Sequence, residues 1–234
     1  MAKKYLLHNV AGKNSFIIRN EFQKFLTRSK FIEDIYGDDE TVVEEIKDDG
    51  EIVQKLKIDL SLSTNIKAIW RVNLEQEIDG ISTKNYFRTP EIALLILTHQ
   101  EGHSTSILHV VFIELKKSLQ DSKEEGRTYK QSTLKSCEEK FTAAMNRMYM
   151  LLSLNEHNND PNYSVSIILN FKGVICYIND NTTRNDNTQL YPILRLTARN
   201  NIIDCKTIFG DNDKMKVAFY NDTDIISLDR LLNI

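Results

Sequence analysis

Proline and glycine are scarce in this chain, three and eight among 234 residues. That scarcity argues against collagen-like or low-complexity material. Cysteine is scarce as well. Cys137, Cys176 and Cys205 are odd in number, far apart and without a CxxC pair, so they offer no zinc frame. They read as small buried apolar residues in a reducing compartment. No uninterrupted run of about 18 apolar residues occurs, which excludes a spanning helix and any membrane partner of that kind. The polar stretch from Met1 to Asn14 lacks the apolar core of a secretory signal. These absences place the protein inside the cell, in the cytoplasm or nucleus. A basic excess is also lacking, with 30 Lys and Arg against 33 Asp and Glu and a net charge of -3. Proteins that coat nucleic acid gain affinity by releasing phosphate counterions and usually carry such an excess. A passive nucleic-acid-binding module is therefore disfavoured. A metal-assisted enzyme is not, because a cation can supply local positive charge at an acidic site.

What is present suits an ordinary folded protein, 41% hydrophobic and 27% charged. Neither a linker nor an internal repeat divides the chain, so residues 1–234 read as one domain, with a core over about 14–178 and additions over 179–234. Phe16, Ile17, Phe22, Phe25, Leu26 and Ile32 fall roughly on one face and predict a helix from Asn14 to Asp34. Residues 37–50 are acidic and turn-like, a solvated excursion. Strict alternation over 55–63 predicts a strand with one wet face, and 66–74 a second. The nearly continuous apolar runs 91–98 and 107–115 suit central strands buried on both faces, joined as a hairpin by the polar residues 99–105. Residues 116–130 read as a charged loop. A stripe from Leu134 to Leu152 predicts a long helix over 132–154, its Met and Leu residues serving as core. Residues 163–170 and 173–178 read as a further hairpin, 179–189 as a loop, 216–220 as a last strand and 225–232 as a terminal helix. The order implies an α/β or α+β fold with a mixed central sheet flanked by helices.

One pattern carries chemistry. Pro90-Glu91 opens one apolar strand, and Glu114-Leu115-Lys116 closes the next, 22 residues intervening. Alternation puts Glu114 and Lys116 on one face of a strand and Leu115 on the other. Charge at the end of so apolar a strand is costly unless paired or bound to a metal. The competing reading is that the strand simply emerges into solvent at Glu114 and a surface loop begins at Lys116. Two other ExK triplets, at Glu45 to Lys47 and Glu138 to Lys140, lack a proline–acid partner. The second lies on a helix, where two-residue spacing splits the side chains apart.

The arrangement resembles the signature of the PD-(D/E)xK, or restriction-endonuclease-like, nucleases. The resemblance spans about 14–178, although the motif itself rests on four residues. It implies a restriction-endonuclease-like core and a hydrolase that cleaves phosphodiester bonds in DNA or RNA with Mg²⁺ or Mn²⁺. Glu91 and Glu114 would hold the metal, with the Leu115 carbonyl as an added ligand, and Lys116 would orient or activate water. The first acid is commonly aspartate in this family, and Glu91 departs from that; Asp79 is the substitute if Glu91 is structural. Glu21 on the leading helix is the family-type candidate to complete the metal cluster. Gln131, Lys135 and Arg147 are candidate phosphate contacts on the following helix, where charges otherwise form the wet side. Cutting both strands of a duplex would favour a homodimer. The alternative is a degenerate module on the same fold that binds nucleic acid or protein. His99, Glu101 and His103 form HxExH, not the HExxH of zinc proteases, and read as a turn.

Overall fold

The fold was analysed in a computed structural model, which describes residues 8–10, 13–15, 30–46, 49–61, 65–76, 89–99, 105–120, 123–125, 128–130, 132–153, 166–181, 202–207 and 212–234. Among these the chain is mixed α/β and built mainly of strands. The strands are β1 (His8–Val10), β2 (Lys13–Ser15), β3 (Ile32–Asp34), β4 (Glu40–Ile46), β5 (Ile52–Asp59), β6 (Ile66–Asn73) and β7 (Ile92–His99). Then come β8 (Thr105–Leu119), β9 (Lys123–Glu125), β10 (Thr128–Lys130), β11 (Ser166–Asp180), β12 (Ile202–Lys206), β13 (Asn212–Asn221) and β14 (Ile225–Ser227). The helices are α1 (Thr133–Ser153) and α2 (Leu228–Leu232).

A seven-stranded mixed sheet, in the order β12-β13-β11-β8-β7-β6-β3, forms the centre. From β3 through β6 and β7 to β8 each successive pair is antiparallel, whereas β11 lies parallel to both β8 and β13. A parallel neighbour requires a crossover, and α1 lies in the chain between β8 and β11. Alternation along β8 sorts its side chains between two cores. Leu108, Val110 and Phe112 join Cys137, Phe141, Ala144 and Met148 of α1 on one face. Val111, Ile113 and Leu115 join Val43, Leu56, Ile58 and Leu231 on the other. That second face is covered by a three-stranded sheet, β14-β5-β4, together with α2. The expected mixed central sheet is present; among the described residues α1 lies on its first face, and the small sheet with the short α2 lies on its second.

Several boundaries differ from the sequence expectations. Residues 16–29 of the expected leading helix lie outside the described residues, and its two ends, at 13–15 and 32–34, are strands. The acidic excursion contains β4, in which Val43 is fully buried while Glu44 and Glu40 pair with Lys55 and Lys57 of β5. Such cross-strand pairs make acidity compatible with a strand. The charged loop holds the end of β8 and a β9–β10 hairpin. Residues after 178 are no mere additions, since they supply β12, β13 and β14 to the two sheets.

The predicted hairpin at 163–178 is instead one continuous strand through its described part, 166–178. Lys172 and Gly173, where the expected second strand of that hairpin begins, are packing devices. Lys172 is buried, and its ammonium donates to the carbonyls of Leu231 and Leu232 at the end of α2. Burial lowers the Lys172 pKa to about 8, helped by Lys216. Gly173 makes room for α1: a Cβ there would come within 2.9 Å of Phe141 Cε2 and 3.1 Å of Val217 Cγ2. Gly173→Ala is therefore expected to destabilise the fold by about 1–3 kcal/mol, the usual cost of overpacking. Urea unfolding would check this, and an unchanged midpoint would mean that Phe141 moves freely aside.

Candidate functional site

Glu114 lies in the interior of β8, three residues beyond the last buried valine, and its side chain points to the α1 face with Phe112. The expectation that strand and motif end together is thus corrected, because β8 continues to Leu119 and carries Lys116 within it. The pairing Ile92↔Ile113, continued by one step, sets Glu91 beside Glu114 on the neighbouring strand. Glu91 Oε2 accepts a hydrogen bond from the Leu115 amide at 2.9 Å. The entry to β7 is braced from behind. Thr89 Oγ1 donates to the Leu74 carbonyl at 3.2 Å, and the Arg147 guanidinium donates to the carbonyls of Leu74 and Gln76.

Glu114 has no exposed surface. Its Oε1 receives Lys116 Nζ, from the same strand, and Lys140 Nζ, from α1, the latter at 2.6 Å. Its Oε2 is buried with no hydrogen-bond partner among the described residues. Burial pushes Glu91 well above the usual carboxyl range, and the Glu114 charge pushes in the same direction. At Lys116 burial opposes the charge, but Glu114 outweighs it, and the ammonium is held above its ordinary value. Cys137, one turn before Lys140 on α1, is a buried free thiol pushed up to about 12 by burial first and Glu114 second.

A third acid, Glu45 on the second sheet, lies within electrostatic range of this cluster. Glu45 lies at an irregularity in the β4–β5 pairing, a device that re-aims side chains. Its Oε2 is also buried without a hydrogen-bond partner among the described residues. Burial raises its pKa, with Lys116, Glu114 and Lys140 as the strongest charged influences. Between β4–β5 and the ends of β6 and β7 opens a cleft of about 500 Å³, its wall including Val42, Lys55, Arg71, Glu75 and Glu91.

The sequence-predicted residues therefore divide. Glu91, Glu114 and Lys116 come together. Glu21, Asp79 and Gln131 lie outside the described residues, as do Glu101 and His103. Lys135 is exposed and paired with Glu138 at 3.0 Å, the wet side of α1. Arg147 belongs neither to a groove nor to that wet side: it is buried, and its guanidinium lies 4.9 Å from the centroid of the Phe31 ring. Lys140 and Glu45 were missed by the motif. Their only signal in the sequence is membership of the two dismissed ExK triplets. Among the described residues, no group of three or more His, Cys, Asp or Glu is placed to hold a metal ion. The two adjacent carboxyls, with an unsatisfied oxygen on one, still fit the donor chemistry of a hard cation. No described helix is long and apolar enough to cross a membrane. In comparisons with known proteins, no family model, no curated protein and no solved structure matches the chain.

Proposed function

We propose that this protein is a divalent-cation-dependent nuclease, with a restriction-endonuclease-like core, that hydrolyses phosphodiester bonds in DNA or RNA. The observation that carries the reading is Glu114 Oε2, a buried carboxylate oxygen with no hydrogen-bond partner among the described residues, next to the Glu91 carboxyl. Leaving such an oxygen unsatisfied costs a few kcal/mol, and a conserving explanation is a ligand that completes it. Glu91 and Glu114 are the residues to hold Mg²⁺ or Mn²⁺. Bound there, such a cation would supply charge at the scissile phosphate and acidity to a water. Glu114 holds the Lys116 ammonium through Oε1, and Lys116 in turn positions the attacking water or the phosphate. The Leu115 amide fixes the Glu91 carboxylate through Oε2. Both fixed contacts reduce the motion needed during reaction.

The second reading, a degenerate binding module, is favoured by one observation. Two ammoniums already neutralise Glu114, as they would in a site that has lost its cation. Metal-supported cleavage separates the two. Purified protein with Mn²⁺ should cut single- or double-stranded DNA or RNA, a chelator should stop it, and Lys116→Ala should reduce the rate by at least about 100-fold. Mn²⁺ should also raise the melting temperature of the wild type by mass action. Intact nucleic acids across such a panel, with no melting shift, would favour the binding module.

A further inference from the structure

We propose that Lys140 acts with Lys116 as a paired-ammonium site that grips one phosphate of a nucleic-acid backbone, and that this grip needs no divalent cation. The choice of nucleic acid as ligand rests on the nuclease reading, whereas the grip itself is independent of catalysis.

The first support is convergence. Lys116 is presented by β8 and Lys140 by α1, and both Nζ atoms meet on Oε1 of Glu114, Lys140 at 2.6 Å. Neither takes Oε2, which stays unsatisfied. Counterions serving only to neutralise a buried carboxylate gain most by dividing between its two oxygens. Here two like charges are gathered on one oxygen, an arrangement that favours a further anion nearby.

The second support is donor capacity. Each ammonium carries three N–H donors, and neither lysine has another hydrogen bond or ion pair among the described residues. A phosphodiester brings two non-bridging oxygens and one negative charge. The third is local charge: one fully buried carboxylate between two cations leaves a surplus of one. The fourth is access. The side chains of Lys116 and Lys140 keep 21% and 16% of their surface exposed, while Glu114 keeps none. Both lysine side chains thus keep some contact with solvent, which the carboxylate between them lacks.

The test is binding of a fluorescein-labelled single-stranded oligodeoxynucleotide in EDTA over a series of salt concentrations. Wild-type protein is expected to bind, and Lys140→Gln to weaken binding about tenfold and lower the log–log salt slope by about one. Lys140→Arg, which keeps the charge, should retain most of the affinity. Should Lys140→Gln fail to fold, Glu114→Gln and Glu114→Gln/Lys140→Gln provide the same comparison, since neither strands a buried carboxylate. Absence of binding in EDTA, or an unchanged affinity and slope in the Lys140→Gln protein, overturns the proposal. Binding of inorganic phosphate alone, with none of the oligonucleotide, overturns it too. Cleavage with Mn²⁺ is scored separately: a protein that cuts but does not bind in EDTA keeps its nuclease function and loses this inference.

Discussion

Glu114→Ala should abolish metal-supported cleavage and also lower the melting temperature by roughly 6–12 °C. The second effect follows from the two lysines left behind. Removing one partner of a buried ion pair costs about 3–5 kcal/mol when the remaining charge cannot escape. Lys116 and Lys140 retain some solvent contact, so the low end, about 3 kcal/mol, applies. For a chain of this size each kcal/mol moves the melting temperature by about 2–4 °C. The triple variant Glu114→Ala/Lys116→Met/Lys140→Met should recover most of that stability while staying inactive, because apolar side chains replace the whole cluster. Differential scanning calorimetry decides the matter. A melting temperature equal to that of wild type in the single variant would mean that the lysines do not depend on Glu114.

Glu91→Gln should eliminate cleavage yet stabilise the metal-free protein, and the stabilisation should depend on pH. The ordinary carboxyl titrates at 4.5, and Glu91 in the folded protein titrates well above that, through burial and the Glu114 charge. Between those two values the folded state binds the proton more tightly than the unfolded one. Stability of the wild type therefore falls as pH rises through the folded value. Glutamine never ionises and can still accept the Leu115 amide, so it escapes this loss. The difference between variant and wild type should vanish below pH 4.5 and grow to several degrees by pH 8. Glu45, also raised, contributes the same sign to both proteins and cancels in the difference. A difference independent of pH would show that Glu91 is solvated rather than buried beside Glu114.

Local pattern made part of this architecture legible. The apolar runs around Leu94 and Val111 announced central strands, and the stripe from Leu134 announced α1, because burial on two faces or on one leaves a period in the sequence. Residues whose reason lies far along the chain were misread. The chain around Lys172 and Gly173 reads as a break between two strands. Their partners, the α2 carbonyls and Phe141, lie about 60 and 30 residues away and carry no local signal. The acidity of β4 looked like solvation because its lysine partners are on β5. At the site, the pair on adjacent strands was readable from Pro90-Glu91 and Glu114-Leu115-Lys116. Lys140 was not. Its two-residue spacing from Glu138 correctly separated those two side chains, but only the packing of α1 on β8 brings it to Glu114, 26 positions earlier.

The parallel pairing of β14 with β5 bears on how the chain reaches its folded state. Ile225, Ile226 and Ser227 pair with Lys57, Ile58 and Asp59, and the Asp224 carbonyl accepts the Lys57 amide at 2.8 Å. On the ribosome, β4 and β5 emerge long before their third strand exists. Until residues 225–232 are synthesised, β5 presents an open edge and the Leu56 and Ile58 side lacks its cover from Leu228 and Leu231. Closing a loop of that length is entropically expensive, and topologies dominated by distant pairings fold in milliseconds to seconds, not microseconds. Synthesis thus leaves a window in which the β5 edge is open to pairing with other chains, and stalled or prematurely terminated products should be the aggregation-prone species of this protein.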